Sequence, residues 1–168
     1  MNPLAKIMAE LWKDFIDFIF PGCCQLCGKI DEKVICDDCD SILAKLPSGY
    51  SPDYSIDASL EYIRPLAPFD SPHRELIHSL KYSGIIAIAD FFGHRIGELI
   101  AEEKYFTDFD VLIPVPLHKK RRRQRRFNQA EIIANAASEV CKIPVKTDIV
   151  ERTRYTKSQT KLKPDERR

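Results

Sequence analysis

The sequence predicts an α/β fold in which helices alternate with a parallel sheet, preceded by an N-terminal helix and a small metal-bound segment. Three observations carry this expectation. Four cysteines stand in two C-x-x-C pairs, Cys24/Cys27 and Cys36/Cys39. The stretch from Asp110 to Pro116 is a continuous apolar run closed by prolines, the pattern of a buried parallel strand that ends at a loop. Helical periodicity lies on both sides of that run, and strand, helix, strand at this spacing reads as a βαβ unit.

The elements follow in order. Leu4, Ile7, Met8, Leu11, Phe15, Phe18 and Ile19 recur at three- and four-residue spacing, so residues 1–20 read as an amphipathic helix that stops at Pro21-Gly22. Its apolar face is expected to pack against the rest of the protein; its polar face has no Lys/Arg excess that would favour a membrane surface. Residues 21–46 hold the cysteines and a short helical piece from Asp40 to Leu46. Residues 47–57 concentrate Pro, Ser, Gly and Asp and read as a linker.

Residues 58–168 would form the sheet-containing domain. A strand is expected within 58–69, bounded by Pro65 and Pro68, and then a helix with Pro72 in its first turn and Ser71 as its cap. A second helix runs from Gly84 to about Lys104. After the apolar run come a helix over Phe127–Val140 and a short strand over Ile143–Val150.

The 168 residues are 44% hydrophobic and 10% aromatic, enough for a core, which excludes wholesale disorder. The formal net charge of +1 conceals a gradient. Residues 1–60 carry 5 basic and 10 acidic side chains, residues 61–110 carry 5 and 9, and residues 111–168 carry 16 and 6. The last segment, at net +10, is an anion-binding surface in the making. The apolar stretch Leu11–Phe20 is too short and too charged to span a bilayer, and no secretory signal is recognisable. A cytoplasmic protein without a membrane span is the expectation.

Each C-x-x-C pair has the spacing of a metal knuckle, in which two thiolates from one tight turn face one ion. Cys24, Cys27, Cys36 and Cys39 would complete a closed tetrahedral Zn²⁺ site with no open position, hence structural. Gly28 suits the knuckle turn, and Asp37 and Asp38 can shape the second one. Two disulfides are the competing reading, disfavoured without a signal peptide. Cys23 is a spare that could replace Cys24, and Cys141 reads as a half-buried thiol. His73, His78 and His94 fall on expected helices and read as packing or surface residues.

Seven of the eight residues from Lys119 to Arg126 are basic. This basic 119–126 loop would leave the C-terminal end of a parallel strand, where α/β proteins place ligands, and the next helix would turn backbone N–H groups toward an anion. A solvated basic loop is the plainer reading. His118, Asn128 and Gln129 beside the run favour oriented recognition. Single-stranded DNA is a candidate partner, although Phe106, Phe127 and Tyr155 are too scattered in sequence to predict a stacking platform.

The cysteine knuckles, His73-Arg-Glu-Leu-Ile-His-Ser-Leu-Lys-Tyr-Ser-Gly84, Pro114-Val-Pro-Leu-His118 and Arg125-x-Phe-Asn-Gln129 together resemble the ComF family, as do Arg152-Thr-Arg-x-Thr156 and Gln159-x-x-Leu162. That resemblance implies a bacterial protein linked to DNA uptake in natural competence, with competence-machinery proteins as partners. It also implies a zinc ribbon followed by a type I phosphoribosyltransferase-like, Rossmann-like domain. Leu117, His118 and Lys119 would take the place of the pyrophosphate-binding loop, with Arg121, Arg123, Arg125, Asn128 and Gln129 at matching positions. Arg152, Arg154 and Gln159 would belong to a flexible covering loop. Arg126 stands where the family has Gly, which would strain the turn if the backbone there needs a positive φ.

No glycine follows Gly97, and no paired acids precede a Thr-Thr-Gly loop that would hold Mg²⁺ and phosphoribosyl pyrophosphate. The chain is therefore expected to be an incomplete, inactive version of the phosphoribosyltransferase-like domain. With central strands of the sheet missing from the chain, the half-domain is expected to expose apolar surface near Val111–Val115 and to be prone to aggregate. The alternative is a non-enzymatic, zinc-dependent module that binds single-stranded DNA or protein.

Overall fold

The computed structural model describes residues 3–45, 63–103 and 108–156. The chain divides into two compact units, Met1–Phe91 and Phe92–Arg168. The expected linker at 47–57, the start of the strand expected at 58–69, and Gln159 lie outside the described residues.

The first unit begins with α1 (Pro3–Ile19). Contrary to expectation, its apolar side is not covered: Leu11, Trp12 and Phe15 are 60%, 58% and 53% exposed. The cysteine segment follows and leads into α2 (Asp37–Lys45). This helix starts three residues earlier than its periodicity suggests, because Asp37, Asp38 and Asp40 place negative charge in its first turn, where the helix dipole favours it. The buried apolar side chains from this stretch are Cys24, Ile35, Cys36, Cys39 and Leu43, so the local core is mostly sulfur.

Next comes α3 (His73–His78), continued by a π-helical turn, Ser79–Ser83, which Gly84 ends at φ +72°. Pro72, not Ser71, occupies the N-cap position; the Ser71 hydroxyl donates to the Glu75 carboxylate at 2.6 Å. Leu76, Leu80, Ile88 and Ala89 are buried, and so is His73.

The unit boundary falls within α4 (Ala87–Glu102). In the second unit α4 crosses α6 (Gln129–Cys141) at very close range. A Cβ on Gly97 would lie 2.6 Å from the Ala137 carbonyl oxygen and 2.7 Å from the Val140 Cβ, and Gly93 is equally closed by Ala136 and Ile133. Glycine on one helix and alanine on the other allow this approach, and Phe92, Ala136 and Ala137 are buried there.

The parallel sheet is not present among the described residues. No strand forms; only two isolated bridges occur, Cys23 with Ile30 and Leu112 with Val145. The expected βαβ unit, and with it the incomplete Rossmann-like domain, is thereby overturned. The physical reason lies in the same prolines that suggested a strand end. Leu112 N–H donates to the Pro144 carbonyl and Lys146 N–H to the Leu112 carbonyl, both at 2.9 Å. Pro114 and Pro116 then have no N–H to continue the ladder, and residues 147–149 bend away. One rung does not make a sheet. Residues 63–69 are likewise irregular rather than a strand. Ile113 and Val115 are 44% and 70% exposed, in line with the apolar surface expected there.

The basic run is also not a loop. Residues Lys119–Arg125 form a helix, α5, of two turns.

Candidate metal centre and basic face

The Cys24–Cys27 turn is built by backbone hydrogen bonds. Gly28 N–H donates to the Cys24 carbonyl at 2.9 Å, and Cys24 N–H donates to the Lys29 carbonyl at 2.8 Å. Gly28 sits at φ +73°, the left-handed region the knuckle turn requires. Gln25 N–H donates to the Val34 carbonyl at 2.9 Å, which draws the second pair toward the first. Cys36 then precedes α2, and Cys39 lies in its first turn.

These two turns bring four sulfurs together: the Sγ atoms of Cys24, Cys27, Cys36 and Cys39 all lie within 4.8 Å of one another. The Cys27 and Cys36 sulfurs are 3.7 Å apart, too far for a disulfide. That separation matches the tetrahedral edge of about 3.8 Å that follows from a metal–sulfur bond of about 2.3 Å. All six cysteines are free thiols, and Cys23 stands outside the cluster. The quartet could hold a metal ion, and its all-sulfur donor set fits a soft or borderline tetrahedral ion.

The electrostatics point the same way. Burial disfavours the Cys24 thiolate, but the N–H groups of Cys27, Cys36 and Leu26 outweigh it and lower its pKa to about 6. Those donors favour the ionised form of one thiol of the quartet. Burial and the neighbouring sulfurs push Cys39 up to about 12, and Cys36 is raised as well. Thiolates this close repel, and a cation is what lets all of them ionise together. Lys29 pairs with Asp38 at 3.4 Å and Lys33 with Asp37; both pairs are exposed, so they contribute little.

The second constellation surrounds α5. Six of its seven residues are cations, and none is buried. Like charges three and four apart oppose a helix, and cations in the first turn oppose its dipole. Caps offset this: His118 Nδ1 accepts from Lys120 N–H at 3.2 Å, and Arg126 N–H donates to the Arg122 carbonyl at 2.8 Å. Segment 151–156 also lies along the helix. Glu151 pairs with Lys119 at 3.2 Å, and the Arg121 guanidinium donates to the Thr156 carbonyl at 2.8 Å. The Tyr155 ring meets His118 edge-on at 5.2 Å and lies 5.5 Å from Lys120 Nζ and 5.8 Å from the Arg121 guanidinium carbon.

The structure thus brings His118, Lys119 and Arg121 together with Arg152, which donates to the Thr156 hydroxyl at 2.8 Å. Lys120, Arg123 and Arg126 are exposed. Arg125 reaches the Gln129 side-chain oxygen at 3.1 Å, and Arg122 pairs with Glu131 at 3.2 Å. Leu117 is half-buried and Arg154 exposed. Asn128 is committed to holding the fold. It is buried, its side-chain oxygen caps α6 by accepting from Ala130 N–H, and its amide donates to the Val115 carbonyl, both at 3.2 Å. The N-terminal N–H groups of α6 are in that measure already engaged.

Tyr155 is the residue that sequence reasoning set aside. Thirty-four positions separate it from Arg121, and no local pattern marks the contact. The histidines are as expected: His73 is buried, His78 stacks near Tyr82 at 4.4 Å, and His94 faces Glu139 at 3.7 Å. Among the described residues no helix is long and apolar enough to cross a membrane. No family model, curated protein or solved structure matches the chain.

Proposed function

We propose that the chain is a non-enzymatic module in which zinc holds the cysteine quartet and the α5 face binds the phosphate backbone of single-stranded nucleic acid. The observation that carries this reading is α5 itself, a helix of six cations with no buried residue and an aromatic ring laid against it. Cations in that density repel one another, and a polyanion relieves the repulsion. Tyr155, 46% exposed, adds a π-face of the kind on which unpaired bases stack. Zinc is the natural occupant of four thiolates at tetrahedral spacing, and its role there is structural. The ComF resemblance supplies the cellular setting, a cytoplasmic step in DNA uptake with competence-machinery proteins as partners. Phosphoribosyl transfer has no support from the geometry, because the sheet on which such a site is built does not form among the described residues.

The test is fluorescence anisotropy of a labelled 20-mer of thymidylate against the zinc-loaded protein across a salt series. Engagement of four to six phosphates gives a log–log slope of about −3 to −4, since each contributes about −0.7 on single strands. A flat salt response, or no binding at low salt, overturns the reading. Tyr155→Ala should weaken binding by roughly fivefold or more if a base stacks there.

A further inference from the structure

The four cysteines of the quartet are not equivalent. Cys24, Cys36 and Cys39 are 1%, 1% and 8% exposed, whereas Cys27 is exposed. The difference follows from where each lies in the segment. Cys36 and Cys39 share the local interior with Ile35 and Leu43. Cys27 closes the first knuckle turn, and residues 27–30 are exposed together. A Cβ on Gly28 would meet no atom within 4 Å, so the space beside this turn is open.

Metal ligands are deprotonated, so with zinc in place all four cysteines are thiolates, and charge state does not rank them. Access does. A small oxidant reaches an exposed thiolate before a buried one, and the oxidised sulfur goes on to a disulfide when a second sulfur stands close. Cys27 meets both conditions, because the Cys36 sulfur lies 3.7 Å away. Cys23 meets only the first: it is exposed but stands outside the cluster.

We propose that Cys27 is a peroxide-reactive site through which oxidation releases the metal. The proposal rests on the reading that zinc occupies the quartet, and adds to it the route by which the ion is lost. The Cys27 thiolate attacks one oxygen of a hydroperoxide; the O–O bond breaks, hydroxide leaves, and the sulfur becomes a sulfenic acid. The Cys36 thiolate then attacks the Cys27 sulfur and displaces its hydroxyl as a second hydroxide, forming the disulfide. One peroxide is thereby reduced by two electrons, one from each sulfur. The two sulfurs close from 3.7 Å to a bond of about 2.05 Å. Cys24 and Cys39 remain as thiolates, too few to close a tetrahedral zinc site. Because the local core is mostly sulfur, loss of the ion loosens the segment that it organises. A dithiol reductant reverses the step by thiol–disulfide exchange.

The test uses the zinc-loaded full chain carrying Cys23→Ser, which removes the other exposed thiol of the segment and leaves the quartet intact. Hydrogen peroxide is titrated in while a colorimetric chelator reports free zinc, and the cysteines are mapped by mass spectrometry after trypsin. Cleavage after Lys13, Lys29, Lys33 and Lys45 puts Cys24 and Cys27 on one peptide and Cys36 and Cys39 on another. Release of one zinc per chain is expected, in step with a disulfide that joins the two peptides through Cys27 and Cys36. Dithiothreitol should restore zinc binding, and dimedone added with the peroxide should mark Cys27 first. A first adduct on a buried cysteine, a disulfide confined to the Cys24–Cys27 peptide, or zinc retained in excess peroxide overturns the proposal and leaves the zinc reading standing. A reduced chain that takes up no zinc overturns both.

Discussion

The cysteine segment and the basic helix are both short, charged and poor in hydrocarbon core, yet they are held in opposite ways. Between Cys24 and Leu43 the interior is sulfur, with three of the four quartet cysteines buried. In the proposed zinc-bound state their order would depend on an ion that lets the thiolates coexist. Around α5 nothing on the helix is buried, and order comes from caps, a few exposed ion pairs and the segment 151–156 laid alongside. The first arrangement buries three of its four sulfurs and suits a structural part. The second keeps its charge at the surface, where a ligand can change its stability.

The largest expected effect breaks the first half of this contrast. Cys36→Ser removes a buried ligand, and zinc should be lost together with the ordered knuckle, since metal affinity of roughly 10–16 kcal/mol in small zinc modules is folding energy. Cys23→Ser leaves the quartet intact and should retain one zinc per chain. A zinc colorimetric assay with near-UV circular dichroism distinguishes the two. Equal zinc content in both variants would show that the quartet is not the metal site.

Next in size is Asn128, which resemblance assigns to ligand binding and the structure spends on a cap. Asn128→Ala removes the α6 cap and the hydrogen bond to the Val115 carbonyl, a loss of about 1–2 kcal/mol. Asn128→Asp keeps the acceptor for Ala130 N–H and should recover part of that loss. Thermal melts of both variants check this. Reduced affinity for the thymidylate 20-mer with unchanged melting would instead make Asn128 a ligand contact.

What was legible in the sequence follows the same division. The quartet could be read because four thiols at knuckle spacing have few other uses, and α4 and α6 because their periodicity is long and uninterrupted. The apolar run before Pro116 misled: burial pattern alone does not provide the neighbouring strands, and its prolines remove the donors needed to hold them. Lys119–Arg125 looked like a loop since propensity counts charge repulsion but not the caps at His118 and Arg126. The contact of Tyr155 with α5 is long-range, and nothing local in either segment announces it.

The smallest effect sharpens the second half of the contrast. Arg126 closes α5 at φ +68°, where a side chain costs about 1 kcal/mol and glycine costs nothing in the folded state. Arg126→Gly should therefore stabilise the second unit, by somewhat less than that figure because glycine also frees the unfolded chain. Lys142, at φ +63° after α6, has the same backbone and lies away from the basic helix, so Lys142→Gly is the matching control. Both should raise the melting temperature by a similar small amount. Only Arg126→Gly should also flatten the salt slope of single-strand binding, by about 0.7 for one lost phosphate contact. If the two variants change stability and slope alike, the charge at Arg126 has no part in binding, and its place in the sequence is a tolerated strain and nothing more.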